Sequence, residues 1–211
     1  CIAELVDAGG ILEQQLVEIA AGDTAFTLNT KCFEAALRSF GTLVENLAGE
    51  SYIRTPQNLN ERTFFPRFKR LPNGALIDWN TSAEKISSVV RALSFGRHPN
   101  PLGTPKLDIA GEYFIVSEVE ILGERSSPPA GVICEIGDTY LDVSTADKNT
   151  RLTEIRSLAG RVIDVSELVT QLGLKIGQPL SRTSQQIDAP YLAASKAEAT
   201  MVSKLEAFEP A

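Results

Sequence analysis

The sequence contains little of what several common kinds of site require. It has one histidine, His98, and three widely spaced cysteines, Cys1, Cys32 and Cys134. Because no cysteine or histidine pair has the spacing of a zinc site, we expect no metal. A Ser-His-Asp or Cys-His triad would have to use His98, which lies in a proline-dense loop without a nucleophile motif, so we expect a solvent-exposed or loop-packing histidine instead. So few cysteines indicate a reducing compartment, most simply the cytoplasm.

Long apolar runs and an excess of basic residues are also missing. No run approaches the ~18 residues of a membrane helix, and no signal peptide is visible, so we expect no membrane partner. The net charge of −7 and the pI of about 4.9 argue against a nucleic-acid-binding protein. There is no Walker loop or Rossmann fingerprint, since Gly9-Gly10 is not followed by Lys-Ser/Thr.

The first fifty residues have the pattern of the end of an α/β domain. Apolar stretches at 2–6 and 11–19 predict strands on either side of a glycine bend. A helix is predicted from Asp23 or Thr24 to Gly49, with Cys32 in the core beside an apolar face formed by Phe33, Ala36, Leu37, Phe40, Val44 and Leu47. Because a strand-like segment follows Cys1 at once, a lipid-modified cysteine is disfavoured, and we expect the sequence to be a fragment of a longer protein.

Residues 51–75 are predicted to be an interdomain linker, because they carry three prolines and no clear period. A helix should follow, begun by the capping box Thr81-x-x-Glu84 and ended by Gly96. Trp79 is expected to anchor packing beside it. The buried stripe of this helix is predicted to be Ala83, Ile86, Val90 and Leu93.

The sequence from residue 113 onward predicts a small barrel. Strands are expected at 113–122, 131–136, 139–145 and 151–158, with a turn at Gly137-Asp138. A short helix should begin with the capping pattern Asp164-x-x-Glu167 and end at Gly173, and "LKIGQPL" should close the unit. The predicted organisation is therefore an α/β end at 1–50, a linker at 51–75, an open five-stranded, OB-like α+β barrel at 76–180 and a helical linker at 181–211.

The acid in "VDAGGILEQQ" is the best candidate for chemistry. Asp7 directly follows the apolar stretch "IAELV", so it should lie at a strand end, and the two glycines would let a ligand approach the backbone. The alternative is an ordinary Asp-Gly turn. For this pattern alone, the turn is the better interpretation.

Three longer segments change that balance, because in this order they resemble folate-dependent formyltransferases of the methionyl-tRNA formyltransferase type. The segment "ELVDAGGILEQQLVEIAAGDTAFTLNTKCFEAALRSFGTLVENLAGE" resembles the last third of the catalytic domain. The segment "LPNGALIDWNTSAEKISSVVRAL" is similar to the opening of the second domain. The stretch from "PPAGVICEIGDTY" to "LKIGQPL" resembles the rest of the C-terminal barrel. The resemblance covers about residues 1–180.

The resemblance implies an enzyme that moves a formyl group from 10-formyltetrahydrofolate, a small-molecule donor, to an amine. In this family an Asn, a His and an Asp carry the reaction, and the Asp aligns with Asp7. Backbone at Leu5, Val6 and Asp7 would hold the pterin ring. The Asn and His belong to an N-x-H motif upstream of the Asp, and the sequence contains no such motif. The resemblance therefore implies that residues 1–211 alone are inactive.

Two features bear on the acceptor amine. Residues 106–180 carry seven basic and twelve acidic side chains, a poor surface for tRNA. The stretch "ALSFGRHPNPLGTPKL" is similar to formyltransferase domains built into nonribosomal peptide and polyketide synthetases. The C-terminal segment "AEATMVSKLEAFEPA" is similar to the linker that leads into the following domain of such synthetases. We therefore expect an aminoacyl group on a carrier protein as acceptor, and neighbouring domains of a larger polypeptide as partners. The alternatives are a methionyl-tRNA formyltransferase and a non-catalytic interaction module, in which Asp7 is a turn residue.

Overall fold

The computed structural model describes residues 8–63, 65, 71–96, 98, 100, 102–123, 128–180 and 200. The chain divides into two compact units, Cys1–Pro66 and Arg67–Ala211. The boundary falls inside the segment 51–75, which the sequence indicates as a linker. The predicted strand at 2–6 and nearly all of the predicted helical linker at 181–211 lie outside the described residues.

The first unit is built on helix α1, Ala25–Ala48. Thr24 begins it with a capping box, in which its hydroxyl accepts from the backbone N–H of Thr27 and the Thr27 hydroxyl accepts from that of Thr24. Gly49 ends it, and its N–H donates to the carbonyls of Glu45 and Leu47. The predicted start and end of the helix are therefore confirmed.

The apolar face of α1 is exposed in the described structure. Ala35 is the one buried residue of the helix, while Phe33, Leu37 and Phe40 are each more than 60% exposed. The thiol of Cys32 is exposed as well, so its predicted place in the core is wrong. Helical spacing identifies an apolar face, but burial depends on what packs against that face.

The strand predicted at 11–19 is also wrong. Ile11 forms an isolated antiparallel bridge with Thr55, and residues 13–20 carry no regular structure. Leu16 is 94% exposed and Ile19 69% exposed. The apolar residues in "ILEQQLVEI" do not alternate strictly, and a strand needs a paired neighbour to satisfy its backbone. After α1 the unit has a 3₁₀ turn at Leu59–Glu61.

The second unit opens with a turn at Pro72–Ala75 and helix α2, Ala83–Leu93. Its N-cap is Ser82, whose hydroxyl accepts from the N–H of Lys85, and not the predicted Thr81, whose hydroxyl donates to the carbonyl of Asp78. The helix ends at Leu93, three residues before the predicted stop at Gly96. All four residues of the predicted stripe, Ala83, Ile86, Val90 and Leu93, are buried, as predicted.

Five strands form one antiparallel sheet in the order β1-β2-β5-β4-β3. Strand β1, Lys106–Ile109, was not predicted. The expected closing segment "LKIGQPL" lies along the start of β3, through the Val132–Pro179 bridge and backbone hydrogen bonds of Gly177, Gln178 and Leu180. The other strands fall at the predicted places. They are β2 Glu112–Ile121, β3 Ile133–Ile136, β4 Leu141–Ser144 and β5 Asn149–Ser157.

Helix α3, Val165–Leu172, completes the unit and ends at Gly173, whose φ of 62° is left-handed. Asp164 occupies the N-cap position as predicted, but its side chain makes no capping hydrogen bond. The predicted partner Glu167 instead accepts two hydrogen bonds from Arg161.

One apolar core holds this unit together. It combines α2, α3 and the inner face of the sheet, and it includes Trp79, which is 2% exposed. Register shifts between Val116 and Val119 bend β2. The curled five-stranded sheet with its helices fits the predicted small barrel domain. No helix among the described residues is long and apolar enough to cross a membrane.

Candidate functional site

The residues predicted to carry chemistry, Asp7 with Leu5 and Val6, lie outside the described residues. The structure does describe the bend that follows them, Ala8–Ile11. This bend lies against the segment Arg54–Gln57, which we call the strap. The strap follows α1 after a short connection. Because α1 holds its two ends about 36 Å apart, the segment between the bend and α1 must run back along the helix for the bend to meet the strap, and its residues Gln15–Glu18 do lie beside α1.

Three hydrogen bonds join the bend to the strap. The amide Nε2 of Gln57 donates to the carbonyl of Gly9 at 2.6 Å. The backbone N–H groups of Ile11 and Thr55 each donate to the carbonyl of the other, both at 2.9 Å. The bend is thus held by one hydrogen bond at Gly9, two residues from the candidate acid, and by two at Ile11, four residues from it.

The glycines of the bend were predicted to allow close approach. A Cβ built on Gly10 would lie 3.5 Å from the Cβ of Arg54 and 3.6 Å from the carbonyl oxygen of Thr55, which are ordinary contact distances. The strap therefore does not require glycine at position 10. The approach of a ligand to this backbone stays a prediction.

A second acid of the same unit, Asp23, is engaged at the start of α1. Its carboxylate accepts from the Lys31 ammonium at 2.6 Å, from the Ala20 N–H at 2.7 Å and from the Thr27 hydroxyl at 2.9 Å. The hydrogen bond from Lys31, followed by that from Ala20, lowers the pKa of Asp23. An acid held in its charged form by three donors is suited to fixing the helix start and unsuited to exchanging protons near neutral pH.

A shallow groove of about 330 Å³ lies beside α1. Its lining mixes both signs of charge with three apolar side chains, and comprises Gln15, Leu16, Val17, Glu18, Lys31, Glu34, Ala35 and Arg38. Sequence analysis did not identify it, because it forms between a helix face and a segment without regular structure.

The second unit contains a charged and aromatic network on the sheet, which sequence analysis also missed. Arg151 donates twice to Asp142, at 2.8 and 2.9 Å, and its guanidinium lies 3.6 Å from the centre of the Tyr140 ring. The Tyr140 hydroxyl donates to Glu135 at 2.7 Å. Cross-strand pairing of Asp142 with Arg151 creates this network, and it depends on a register that the sequence pattern does not specify.

The side chains of this network are suited to stabilising the sheet and not to proton transfer. The hydrogen bond to Asp142 raises the pKa of Arg151, and the hydrogen bond to Glu135 raises the pKa of Tyr140. Both groups therefore keep their protons across the physiological range. A permanently protonated tyrosine and a paired arginine can stabilise a hairpin, but they supply no general base.

The structure agrees with the prediction that His98 is a loop residue. His98 is exposed, and its ring meets that of Phe95 edge to face at 6.3 Å, in keeping with a loop-packing histidine. His98 and the bend belong to different units. Among the residues that the structure describes, no group of three or more His, Cys, Asp or Glu side chains could hold a metal.

Comparison with known proteins shows what the chain is similar to. Residues 72–173 match the family model "Formyl transferase, C-terminal domain", which covers α2, the whole sheet and α3. This confirms the resemblance for the barrel unit. The chain is also 25% identical over 186 residues to a methionyl-tRNA formyltransferase of Francisella philomiragia, an alignment that covers 84% of this chain and 56% of that protein. The chain spans about half the length of the curated relatives it matches.

Solved structures show the same fold. HypX from Aquifex aeolicus in complex with tetrahydrofolic acid matches with a TM-score of 0.54 at 15% identity, over 82% of this chain and 29% of that one. The N-formyltransferase from Helicobacter canadensis, in complex with folinic acid and dTDP-3-aminofucose, matches with a TM-score of 0.55 at 18% identity, over 74% of this chain and 53% of that one.

Proposed function

We propose that this chain is part of a folate-dependent formyltransferase, which moves a formyl group from 10-formyltetrahydrofolate to an amine. The acceptor in the proposal is the amine of an aminoacyl group held on a carrier protein. Asp7 is the residue of this chain that takes part in the transfer.

The observation that carries the proposal is the extent of the sequence match. The barrel model accounts for residues 72–173 only. The match to the Francisella enzyme covers 84% of the chain, whereas residues 72–211 make up only two thirds of it. That alignment must therefore include part of the first unit, so the similarity is not confined to a reusable barrel.

A folate donor is supported by the solved structures. Two proteins of the same fold were crystallised with tetrahydrofolic acid or folinic acid, and one of them also with an amino sugar nucleotide. A reduced folate and a primary amine are the two reactants of formyl transfer to nitrogen. We extend this pairing to the present chain as part of the proposal.

The chemistry explains why a carboxylate is needed. The amine nitrogen attacks the formyl carbon, and the carbonyl electrons move onto oxygen to give a tetrahedral oxyanion that carries an ammonium. The bond from carbon to the folate nitrogen then breaks, one proton leaves the ammonium and one reaches the folate nitrogen, so the products are a formamide and tetrahydrofolate. A carboxylate at Asp7 would orient the group that moves these protons.

Asp7 cannot supply the whole site. The oxyanion needs hydrogen-bond donors, which the family's Asn and His provide. Residues 1–211 contain no N-x-H motif, and their one histidine lies in the barrel unit. In the proposal these donors come from outside residues 1–211, and the full-length gene product is the active species.

A carrier-bound acceptor is supported by charge and by the segment "FGRHPNPLGTPK". The excess of five acids in residues 106–180 repels a polyanionic acceptor such as tRNA. A small aminoacyl group on a flexible phosphopantetheine arm needs no basic surface. The segment itself resembles formyltransferase domains of assembly lines more than tRNA-type enzymes.

Transfer to methionyl-tRNA is the second candidate, and the Francisella relative's activity is the observation that favours it. One assay separates the two. The full-length gene product containing residues 1–211 is incubated with 10-formyltetrahydrofolate and, in parallel, with a glycyl-loaded carrier protein, methionyl-tRNA or dTDP-3-aminofucose, and formamide products are identified by mass. We expect product with the carrier protein. Product only with tRNA or the sugar would reassign the acceptor, and product with none would leave a non-catalytic module.

A further inference from the structure

The strap contributes one side chain, that of Gln57, to its hydrogen bonds with the bend. Thr55 pairs with Ile11 through backbone atoms alone, as any residue except proline can. Gln57 differs, because it reaches the carbonyl of Gly9 through the end of its side chain. A residue with the wrong length or without a donor could not make that bond.

The position of this contact is informative. Gly9 is two residues from Asp7, and two residues of backbone span at most about 7 Å. Along the chain, the pair Ile11–Thr55 fixes the end of the bend that leads to α1, and Gln57 fixes the bend two residues after Asp7. Without Gln57, the first anchored residue after Asp7 would be Ile11, four positions on instead of two.

Stability does not explain the contact well. Gln57 is exposed, and exposed hydrogen bonds contribute little to the free energy of folding because water replaces them. A contact of this kind is more useful for fixing direction. Reacting groups must be held to within a fraction of an ångström, and a displacement of about 1 Å costs on the order of 100-fold in rate.

We propose that Gln57 is a positioning residue for formyl transfer, which holds the bend carrying Asp7 by donating to the carbonyl of Gly9. This inference rests on the proposed function of Asp7. It adds a residue that the sequence places in the linker between the two units and assigns it a role in the rate of the reaction.

The test compares three variants of the full-length gene product with the wild type. Gln57→Met keeps the length of the side chain and removes the donor, whereas Gln57→Lys restores a donor. Gln14→Met is the matched control, since Gln14 lies in the same unit, is exposed, and makes no side-chain hydrogen bond within the described part of the chain. Formyl transfer to a glycyl-loaded carrier protein gives kcat and KM, and thermal denaturation gives the unfolding midpoint.

We expect Gln57→Met to lower kcat by about 10- to 100-fold, with KM and the unfolding midpoint unchanged. Gln57→Lys should recover most of kcat, and Gln14→Met should match the wild type. A merely structural glutamine would lower kcat and the midpoint together, or neither. An unchanged kcat in Gln57→Met, or an equal loss in Gln14→Met, overturns the inference.

Hydrogen exchange at the Ile11 amide separates this inference from the proposed function. Loss of the Gly9 anchor should accelerate exchange at Ile11 in Gln57→Met and leave it unchanged in Gln14→Met, whether or not the protein transfers formyl groups. Faster exchange with unchanged kcat overturns the positioning role while the proposed function stands. A wild type that forms no formamide overturns the proposed function, and the positioning role with it.

Discussion

Ile11 and Thr55 exchange both of their backbone hydrogen bonds, each 2.9 Å long, and so join the chain before helix α1 to the chain after it. The pairing is limited to this single bridge, since residues 13–20 form no strand. It nevertheless fixes the bend that follows Asp7 against the strap. The described residues that follow the candidate acid are therefore hydrogen-bonded to the strap.

The Ile11–Thr55 pair should depend on the backbone and not on the side chain of Thr55. Thr55→Pro removes the N–H that donates to Ile11, so amide exchange at Ile11 should accelerate and formyl transfer by the full-length gene product should fall at least tenfold. Thr55→Val keeps the N–H and is the matched control. Equal activity in the proline and valine variants would contradict a role for the pair.

Gly137 in the β3–β4 turn should tolerate no Cβ. A methyl group there would overlap the ring of Tyr140, which also packs against the guanidinium of Arg151. Gly137→Ala should destabilise the protein by ~1–3 kcal/mol, the usual cost of overpacking. Gly123→Ala is the control, since a Cβ there meets nothing within 4 Å. Urea denaturation measures both, and equal midpoints would show that the ring moves aside freely.

Asp147 should make part of the stability depend on pH. Its carboxylate accepts from the Ala83 N–H at 2.8 Å, which joins the start of α2 to the β4–β5 turn, and this hydrogen bond is the main reason that the pKa of Asp147 is lowered. A lowered folded-state pKa stabilises the protein above the unfolded value, near 3.9, and this contribution is lost as pH falls through the folded value.

Asp147→Asn should therefore be less stable than the wild type at pH 7. The difference should shrink as the pH falls from about 4 through the lowered folded-state pKa of Asp147, where the wild-type carboxylate becomes protonated. Thermal midpoints across this range test the expectation. A difference that stays constant down to pH 2, or that grows on acidification, would show that the charge of Asp147 is not what stabilises the helix start.

The acidic barrel should bind tRNA weakly. With five more acids than bases in residues 106–180, the unit cannot release the counterions that give tight binding. Fluorescence titration at physiological salt should give a dissociation constant weaker than about 10 μM, with a shallow dependence on salt. Nanomolar binding with a steep salt slope would favour the tRNA acceptor instead.

The sequence predicted those elements that local chemistry determines. Helix α1 begins at Thr24, one of the two predicted starts, and ends at the predicted Gly49, because both positions carry caps. The buried stripe of α2 follows from helical spacing and was also correct. Its N-cap was placed one residue early, because Thr81 and Ser82 both have capping side chains and only tertiary contacts decide between them.

Features that depend on partners could not be predicted in the same way. Strand β1 has only four residues, and its place in the sheet comes from pairing with β2. The apolar pattern at 11–19 and the core position of Cys32 required neighbours that the described structure does not provide. The contact of the strap with the bend could not be predicted either, because Gln57 and Gly9 are 48 residues apart in the sequence.

The most direct measurement is the single-turnover rate of formyl transfer from 10-formyltetrahydrofolate to a glycyl-loaded carrier protein, in the full-length gene product and its Asp7→Asn variant. Asn keeps the size of the side chain and removes the negative charge. We predict rapid transfer by the wild type and a loss of at least about 100-fold in the variant, in the range typical of general acid–base groups, with unchanged unfolding midpoints. Equal rates in both proteins would contradict the assignment of Asp7 as a participant in the reaction.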